Sequence, residues 1–155
     1  MKYLLSVIAM LLFAAPSIAQ VPVELARDQQ ALLRSHDPRL AANKKLVFDF
    51  WREALQSHQT SNATKYLAEG YIQHNPNVPT GRQAFMDFFG KMPKLPIKPT
   101  IDNLVWIGAE GDHVVLALRS TQKDSLGKEY TTTWFDMFRI ENGRIVEHWD
   151  YGTRQ

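Results

Sequence analysis

The chain of 155 residues contains no cysteine. That absence excludes disulfide staples, a thiol nucleophile, Cys-ligated zinc and a lipid-bearing cysteine. No Gly-rich phosphate loop and no Gly-x-Ser-x-Gly elbow occurs, which removes the usual nucleotide-binding and serine-hydrolase signatures. An excess of one charge sign is also missing, with 18 Lys and Arg against 16 Asp and Glu. The charges are interspersed, so the basic pI of 8.9 marks no nucleic-acid stripe. Glycine and proline stand at eight each, too few for a collagen-like or low-complexity chain. What remains, 45% hydrophobic and 11% aromatic residues, is the composition of one globular domain.

One apolar run stands out. Met1-Lys2-Tyr3 is a short basic start, Leu4 to Ala15 is almost unbroken apolar sequence, and Ser17-Ile18-Ala19 supplies small residues. The run is too short to cross roughly 30 Å of hydrocarbon as a helix. It reads as a signal peptide over residues 1–19, cleaved after Ala19. The expected product is periplasmic or secreted, with no membrane attachment after cleavage. Residues 20–37 are polar and weakly periodic, an N-terminal arm that packs loosely or swaps onto a neighbour. The domain proper is expected over residues 38–155.

Asp37-Pro38 has the form of a helix start, a capping carboxylate followed by Pro at the first helical position. Leu40, Val47, Phe50, Trp51, Ala54 and Leu55 then recur at helical spacing, with Lys44, Lys45, Asp49, Arg52 and Glu53 toward solvent. A shorter second helix is expected from Ser61 to Leu67, ended by Gly70. Tyr71 to Pro79 reads as a loop. A third helix follows, with Thr80 and Gln83 at capping-box spacing and Phe85, Phe88, Phe89 and Met92 on its apolar face.

After residue 100 the texture changes to strands. Ile101 to Ala109, His113 to Thr121, Glu129 to Ile140 and Arg144 to Tyr151 are the expected strands, the last two joined by an Asn142-Gly143 hairpin turn. Helices followed by antiparallel strands predict an α+β fold, a curved sheet with three N-terminal helices that enclose a cone-shaped pocket.

Three segments carry a resemblance. Tyr71-Ile72-Gln73-His74-Asn75-Pro76 with Gly81, Trp134 to Ile140, and Asn142 to Asp150 resemble the SnoaL-like proteins. Those proteins belong to the nuclear transport factor 2-like superfamily, with polyketide cyclases and ketosteroid isomerase. The resemblance spans roughly residues 38–151 and implies a cone-shaped α+β barrel with an apolar pocket. In the cyclases an Asp on a central strand is the general acid/base of an aldol closure, and Asp136 matches it. Several relatives carry a His on the preceding strand, where this chain has Val114 to Leu118.

Asp136 is also singled out by its own surroundings. On a strand it shares a face with Trp134 and Phe138. A carboxyl on an apolar face loses hydration, which suits it to exchanging a proton. A two-residue Asn142-Gly143 turn sets Asp136 opposite Trp149 and Tyr151 opposite Trp134. A bulge would instead bring His148 beside Asp136, since a one-residue slip flips a strand. The two-residue register is the expectation, with His148 an exposed strand residue. His74, on the loop, is the second acid/base or a hydrogen-bond donor to a substrate carbonyl, and Tyr71 shares that donor role. Tyr71, Trp134, Trp149, Tyr151 and Phe88 are the expected substrate-binding wall. His148 and Asp150 have metal-pair spacing but lack a third ligand, so no metal and no cofactor is expected.

Two functions remain open. One is a cofactor-free enzyme that moves a proton on a small apolar carbonyl compound, of isomerase or aldol-cyclase type. The other is a periplasmic ligand-binding or assembly module that uses the same pocket without chemistry. A strained functional carboxylate at Asp136 would make Asp136→Asn more stable than the parent. The partners expected are a small apolar molecule and a second copy of the chain, since Phe135 and Met137 lie on the outer sheet face and want cover. No nucleic-acid partner is expected.

Overall fold

The computed structural model describes residues 21–153. The proposed leader, residues 1–19, lies outside the described residues. Among those described, no helix is long and apolar enough to cross a membrane.

The architecture is α+β. Helix α1 (Gln29–Leu32) sits in the N-terminal arm, and α2 (Pro38–Phe50) opens the domain proper. Asp37 caps α2 by accepting from the Arg39 N–H at 2.8 Å, with Pro38 just inside. That start is as the sequence indicates. The helical run does not stay α-helical to Leu55, because a π turn takes over at Trp51–Gln56. The wider turn brings Trp51, Leu55 and Gln56 to one cavity wall.

The arm is docked rather than loose. Gln29 is buried and makes two bonds to the Ile101 backbone, Nε2 to O at 2.7 Å and the 101 N–H to Oε1 at 2.9 Å. Lys44, expected in solvent, is buried as well. Its ammonium donates to the Leu32 and Arg34 carbonyls, both at 2.6 Å, at the otherwise unpaired end of α1. Burial lowers its pKa from the ordinary lysine value.

Thr60–Asn62 forms a 3₁₀ turn and Ala63–Tyr66 the short α3. The chain then becomes strand β1 (Leu67–Gln73), where the sequence reads as helix end and loop. Ala68, Glu69 and Gly70 have low strand propensity, so local preference hides it. Tertiary pairing supplies the strand: β1 runs parallel to the last strand of the sheet. Helix α4 (Arg82–Phe89) follows, with Gly81 as its N-cap and no side-chain capping bond. The Thr80–Gln83 capping box is therefore absent. Thr80 Oγ1 instead accepts from the Gln73 N–H at 3.1 Å and donates to its carbonyl at 3.2 Å.

Strands β2 (Leu104–Glu110), β3 (His113–Lys123), β4 (Glu129–Glu141) and β5 (Arg144–Trp149) complete a five-stranded sheet of order β1-β5-β4-β3-β2. All neighbours except β1 and β5 are antiparallel. The β4–β5 turn has two residues, Asn142 and Gly143, with φ of 51° and 71°. Both angles lie in the left-handed region, which Asn and Gly tolerate. Val114, Leu116 and Leu118 of β3 pair with Phe138, Asp136 and Trp134 of β4. This inner face packs on Val47, Phe48 and Phe50 of α2 and Phe85 of α4 to form the core. Asp136 is the polar member of an apolar row.

Candidate functional site

Beneath the helices lies a cavity of about 590 Å³. Its apolar walls are Trp51, Leu55, Phe85, Phe89 and Met92, and its polar patch is Gln73, Asp136, His148 and Asp150. The volume lies within the range of small-molecule sites.

The register of β5 decides what reaches that patch. Glu141 pairs with Arg144 and Ile140 with Ile145, as a two-residue turn requires. Next, Arg139 pairs with Glu147, so Val146 is bulged out. From there the pairing is Phe138 with His148 and Met137 with Trp149. The expected placement of Trp149 opposite Asp136 is thereby corrected, and so is the expected exposure of His148. The imidazole turns inward, 4% exposed, and stacks on Phe138 with ring centroids 4.1 Å apart. Trp149 turns outward, away from the cavity lining, and stacks on His74 at 5.0 Å.

Asp136 is 2% exposed and meets His148 directly, Oδ1 to Nε2 at 3.0 Å. Its Oδ2 accepts the Trp134 indole N–H at 2.8 Å. Two donors on two oxygens leave lone pairs for a ligand, since a carboxylate offers about four acceptor sites. On the strand before β4, Leu116 stands opposite Asp136, so no imidazole reaches the carboxylate from that side. This chain supplies one from β5, the strand after.

The tautomer of His148 follows from its surroundings. The Asn75 backbone N–H can only donate, and it meets Gln73 Oε1 at 3.0 Å. The Gln73 amide therefore turns its NH₂ toward His148 Nδ1, 2.9 Å away. Tyr71 Oη, also 2.9 Å from Nδ1, accepts from the same NH₂ at 3.2 Å. A donor-surrounded Nδ1 accepts, so the ring proton sits on Nε2 and is donated to Asp136. Tyr71 itself is fully buried, and its hydroxyl is pushed above the ordinary range by that burial, then by the charges of Asp150 and Asp136.

The other expected site residues divide. Trp134 and Tyr151 line the cavity beside Asp136. Tyr71 stands behind His148, as its support rather than as cavity wall. Phe88 is 38% exposed and outside the lining, because α4 turns Phe85 and Phe89 inward instead. His74 is on the outer surface, where its Nε2 bonds Glu147 at 2.8 Å. The bulge that brings His148 in carries Glu147 and Trp149 out, and His74 goes with them. Glu147 also takes the Arg139 Nε–H at 2.9 Å. Its carboxyl is held below the ordinary range, first by His74 and then by Arg139.

Asp150, read from sequence only as half of a metal pair, gains the missing third group. One potential ligand atom from each of Asp136, His148 and Asp150 lies within 4.8 Å of the others. Both imidazole nitrogens are already engaged, however: Nε2 by Asp136, Nδ1 by Tyr71 and Gln73. The arrangement is a hydrogen-bonded acid–base group rather than a set of lone pairs converging on one point.

The SnoaL-like domain matches residues 47–148, from the last turn of α2 into β5, a span that includes Asp136 and His148. No curated protein matches the chain. Among solved structures, a Jannaschia sp. CCS1 protein named for its resemblance to SnoaL-like polyketide cyclases is 14% identical, with a TM-score of 0.54 over 76% of this chain and 90% of that one. An M. tuberculosis LEH-like epoxide hydrolase is 16% identical, with a TM-score of 0.52 over 74% and 84%. An NTF2-like protein from Anabaena variabilis ATCC 29413 is 18% identical, with a TM-score of 0.52 over 79% and 96%. At these identities the likeness is one of fold.

Proposed function

The chain belongs to the SnoaL-like domain family, and from that premise we propose that its cavity takes up a small, largely apolar carbonyl compound and moves a proton on it without a cofactor. The reaction class is isomerase or aldol cyclase. The observation that carries this reading is the buried Asp136–His148 pair, which faces the apolar walls of Trp51, Leu55, Phe85, Phe89 and Met92 across the cavity. Asp136 takes a proton from the carbon next to the carbonyl: the C–H bond breaks, a carboxyl O–H forms, and the electron pair moves to the carbonyl oxygen. Return of the proton to another carbon gives an isomer. Alternatively the enolate carbon attacks a second carbonyl carbon: the C–C bond forms as the C=O π pair moves to its oxygen, that oxygen takes the proton back from the Asp136 carboxyl, and a ring is closed. His148 holds the carboxylate in place through Nε2 and shares its charge. Neighbours of this fold are named as a cyclase-like protein and as an epoxide hydrolase, so the scaffold is compatible with acid–base chemistry.

The test is hydrogen exchange in D₂O, followed by NMR at the enolisable carbon of 6-methoxy-1-tetralone. Wild type should accelerate exchange, and Asp136→Asn should lower that rate about a hundredfold or more. A variant rate equal to wild type, or no acceleration by wild type, removes the enzymatic reading. One observation favours the alternative, a ligand-binding or assembly module without chemistry: both Asp136 oxygens already accept hydrogen bonds. Binding of the tetralone without exchange is its signature.

Export rests on the leader read in residues 1–19. Mass spectrometry of protein from its native host should find Gln20 at the N-terminus, and an intact Met1 would refute it.

A further inference from the structure

Between α4 and β2 the chain runs beside the cavity as a strip without regular secondary structure, and every residue from 91 to 100 is exposed. Met92, Leu95 and Ile97 stand out from it, Leu95 the most open at 47%, with Phe88 exposed just before them. The main chain, not these side chains, ties the strip to the body. The Leu95 N–H donates to the Ser57 carbonyl at 2.8 Å. The carbonyls of Pro93, Leu95, Lys98 and Thr100 accept from His58 Nδ1, Gln59 Nε2, Arg52 Nη1 and Gln56 Nε2, at 2.8, 2.8, 2.7 and 3.1 Å. Pro93, Pro96 and Pro99 stiffen the strip further by fixing φ. An anchored backbone thus presents apolar side chains outward. Met92 belongs to two surfaces, since it also lines the cavity, as do Gln56 and His58 that hold the strip.

The charge on the strip is of one sign. From Phe88 to Ile101 it carries Lys91, Lys94 and Lys98 and no acidic residue. Lys98 is paired with Asp102 at 2.6 Å, whereas Lys91 and Lys94 have no carboxylate partner among the described residues. Asp87, the nearest acid on α4, is bonded to Gln83. A second copy of the chain would set lysine against lysine in a two-fold contact. Strand addition from another protein needs main-chain groups, and here three prolines lack the N–H while four carbonyls are spent. A bilayer with anionic headgroups meets both features at once, with phosphate for the ammonium groups and acyl chains for the apolar tips. We propose that residues 88–98 form a docking strip for an anionic lipid surface, which holds the cavity rim against the bilayer. The contact is peripheral and reversible, and it departs from the expectation, drawn from the leader, that the cleaved chain has no membrane attachment. Docking itself needs no ligand. Uptake of an apolar compound from the lipid into the cavity rests on the ligand reading above.

The test is flotation of the chain, as its native host exports it, with vesicles of phosphatidylcholine alone or of an equal mixture with phosphatidylglycerol. Binding should require the anionic lipid and weaken in molar salt. Each lysine near such a surface is worth about fivefold in partitioning, so Lys91→Gln with Lys94→Gln should lower it about 25-fold. Leu95→Ser with Ile97→Ser should lower it about tenfold through lost apolar contact. The same change of charge elsewhere, Lys123→Gln with Lys128→Gln at the β3–β4 turn, should alter it by about threefold or less. All six side chains are exposed, and far-ultraviolet circular dichroism checks that each variant is folded. No binding to the anionic vesicles overturns the proposal. So does equal binding to the neutral ones, an equal loss in the β3–β4 pair, or no loss in either strip variant. The assay contains no ligand, so its failure leaves the proton-transfer reading standing, and absence of hydrogen exchange leaves docking standing.

Discussion

His148 and Asp136 sit twelve residues apart on adjacent strands and meet through a 3.0 Å bond from Nε2 to Oδ1. The Trp134 indole N–H occupies the other carboxylate oxygen at 2.8 Å. Two donors thus point at two acceptors. An Asn in this place offers one acceptor and one NH₂, so His148 or Trp134 faces another donor. Repair requires the imidazole proton to move to Nδ1, where the Gln73 NH₂ already points. Asp136→Asn should therefore lose about 1–3 kcal/mol of stability, read by urea unfolding. That is the opposite of the gain expected for a strained carboxylate. A variant at least as stable as wild type would show that the two bonds contribute nothing in solution.

The parts of this site that the sequence reveals are those with strong local signals. Asp37-Pro38, the Asn142-Gly143 turn and the apolar run around Asp136 carry capping, turn and strand chemistry within a few residues of one another. Strand β1 lacks such a signal, because Glu69 and Gly70 are poor strand formers and their conformation comes from pairing with β5. The Val146 bulge is equally silent, since nothing in Ile145-Val146-Glu147 distinguishes a bulge from a continuous strand. That single residue exchanges His148 for Trp149 at the cavity and moves His74 with the outer face. Asp150 is read from the sequence only as half of a metal pair, because its hydrogen-bond partner, Asn75, is 75 residues distant.

Tyr71 predicts an alkaline limb in stability. Its buried hydroxyl titrates above the ordinary value of about 10. The folded chain holds this proton where the unfolded chain has begun to lose it. The stabilisation is complete below pH of about 10 and declines as pH rises beyond it. Urea-derived stability of wild type should fall above that pH, and Tyr71→Phe should show a shallower fall. Tyr66, whose hydroxyl is also raised, supplies the part that remains. Parallel curves for the two proteins would rule out the buried hydroxyl as the cause.

Glu147 predicts the acid limb. His74 first, and Arg139 next, depress its carboxyl below the ordinary value. As pH falls below about 4.3, the unfolded chain takes up the proton before the folded one does. Stability from this group is present above that range and lost as pH drops through the folded value. Glu147→Gln should flatten the decline between pH of about 5 and 3, and molar salt should shrink the difference between the two proteins. An unchanged acid limb in the variant would mean that the outer His74–Glu147–Arg139 set adds nothing to pH dependence.

The proposed homodimer has a defined face. Trp106, Ala117 and Phe135 form a cross-strand row on β2, β3 and β4, on the side away from the cavity. Trp106 and Phe135 are 49% and 60% exposed, an apolar row that favours cover. Sedimentation velocity at micromolar concentration should give a dimer, and Phe135→Glu should give a monomer of unchanged fold. Wild type sedimenting only as a monomer sinks the proposal.

The last prediction concerns one proton. Asn75 N–H, Gln73 Oε1, Gln73 Nε2 and His148 Nδ1 form a chain in which each donor fixes the next acceptor. Its terminus is an imidazole with hydrogen on Nε2, donated to Asp136 Oδ1. Nitrogen-detected NMR of the ring near neutral pH should show the Nε2–H tautomer in wild type. Tyr71→Phe should leave it in place, because the Gln73 amide still donates to Nδ1. Gln73→Leu removes that donor and strands the Asn75 N–H, so the tautomer should become mixed and the protein lose about 1–3 kcal/mol. If wild type instead carries the proton on Nδ1, then Nε2 accepts from a protonated Asp136. The base would then be the imidazole, with Asp136 donating to it, and the roles assigned to the pair would be exchanged.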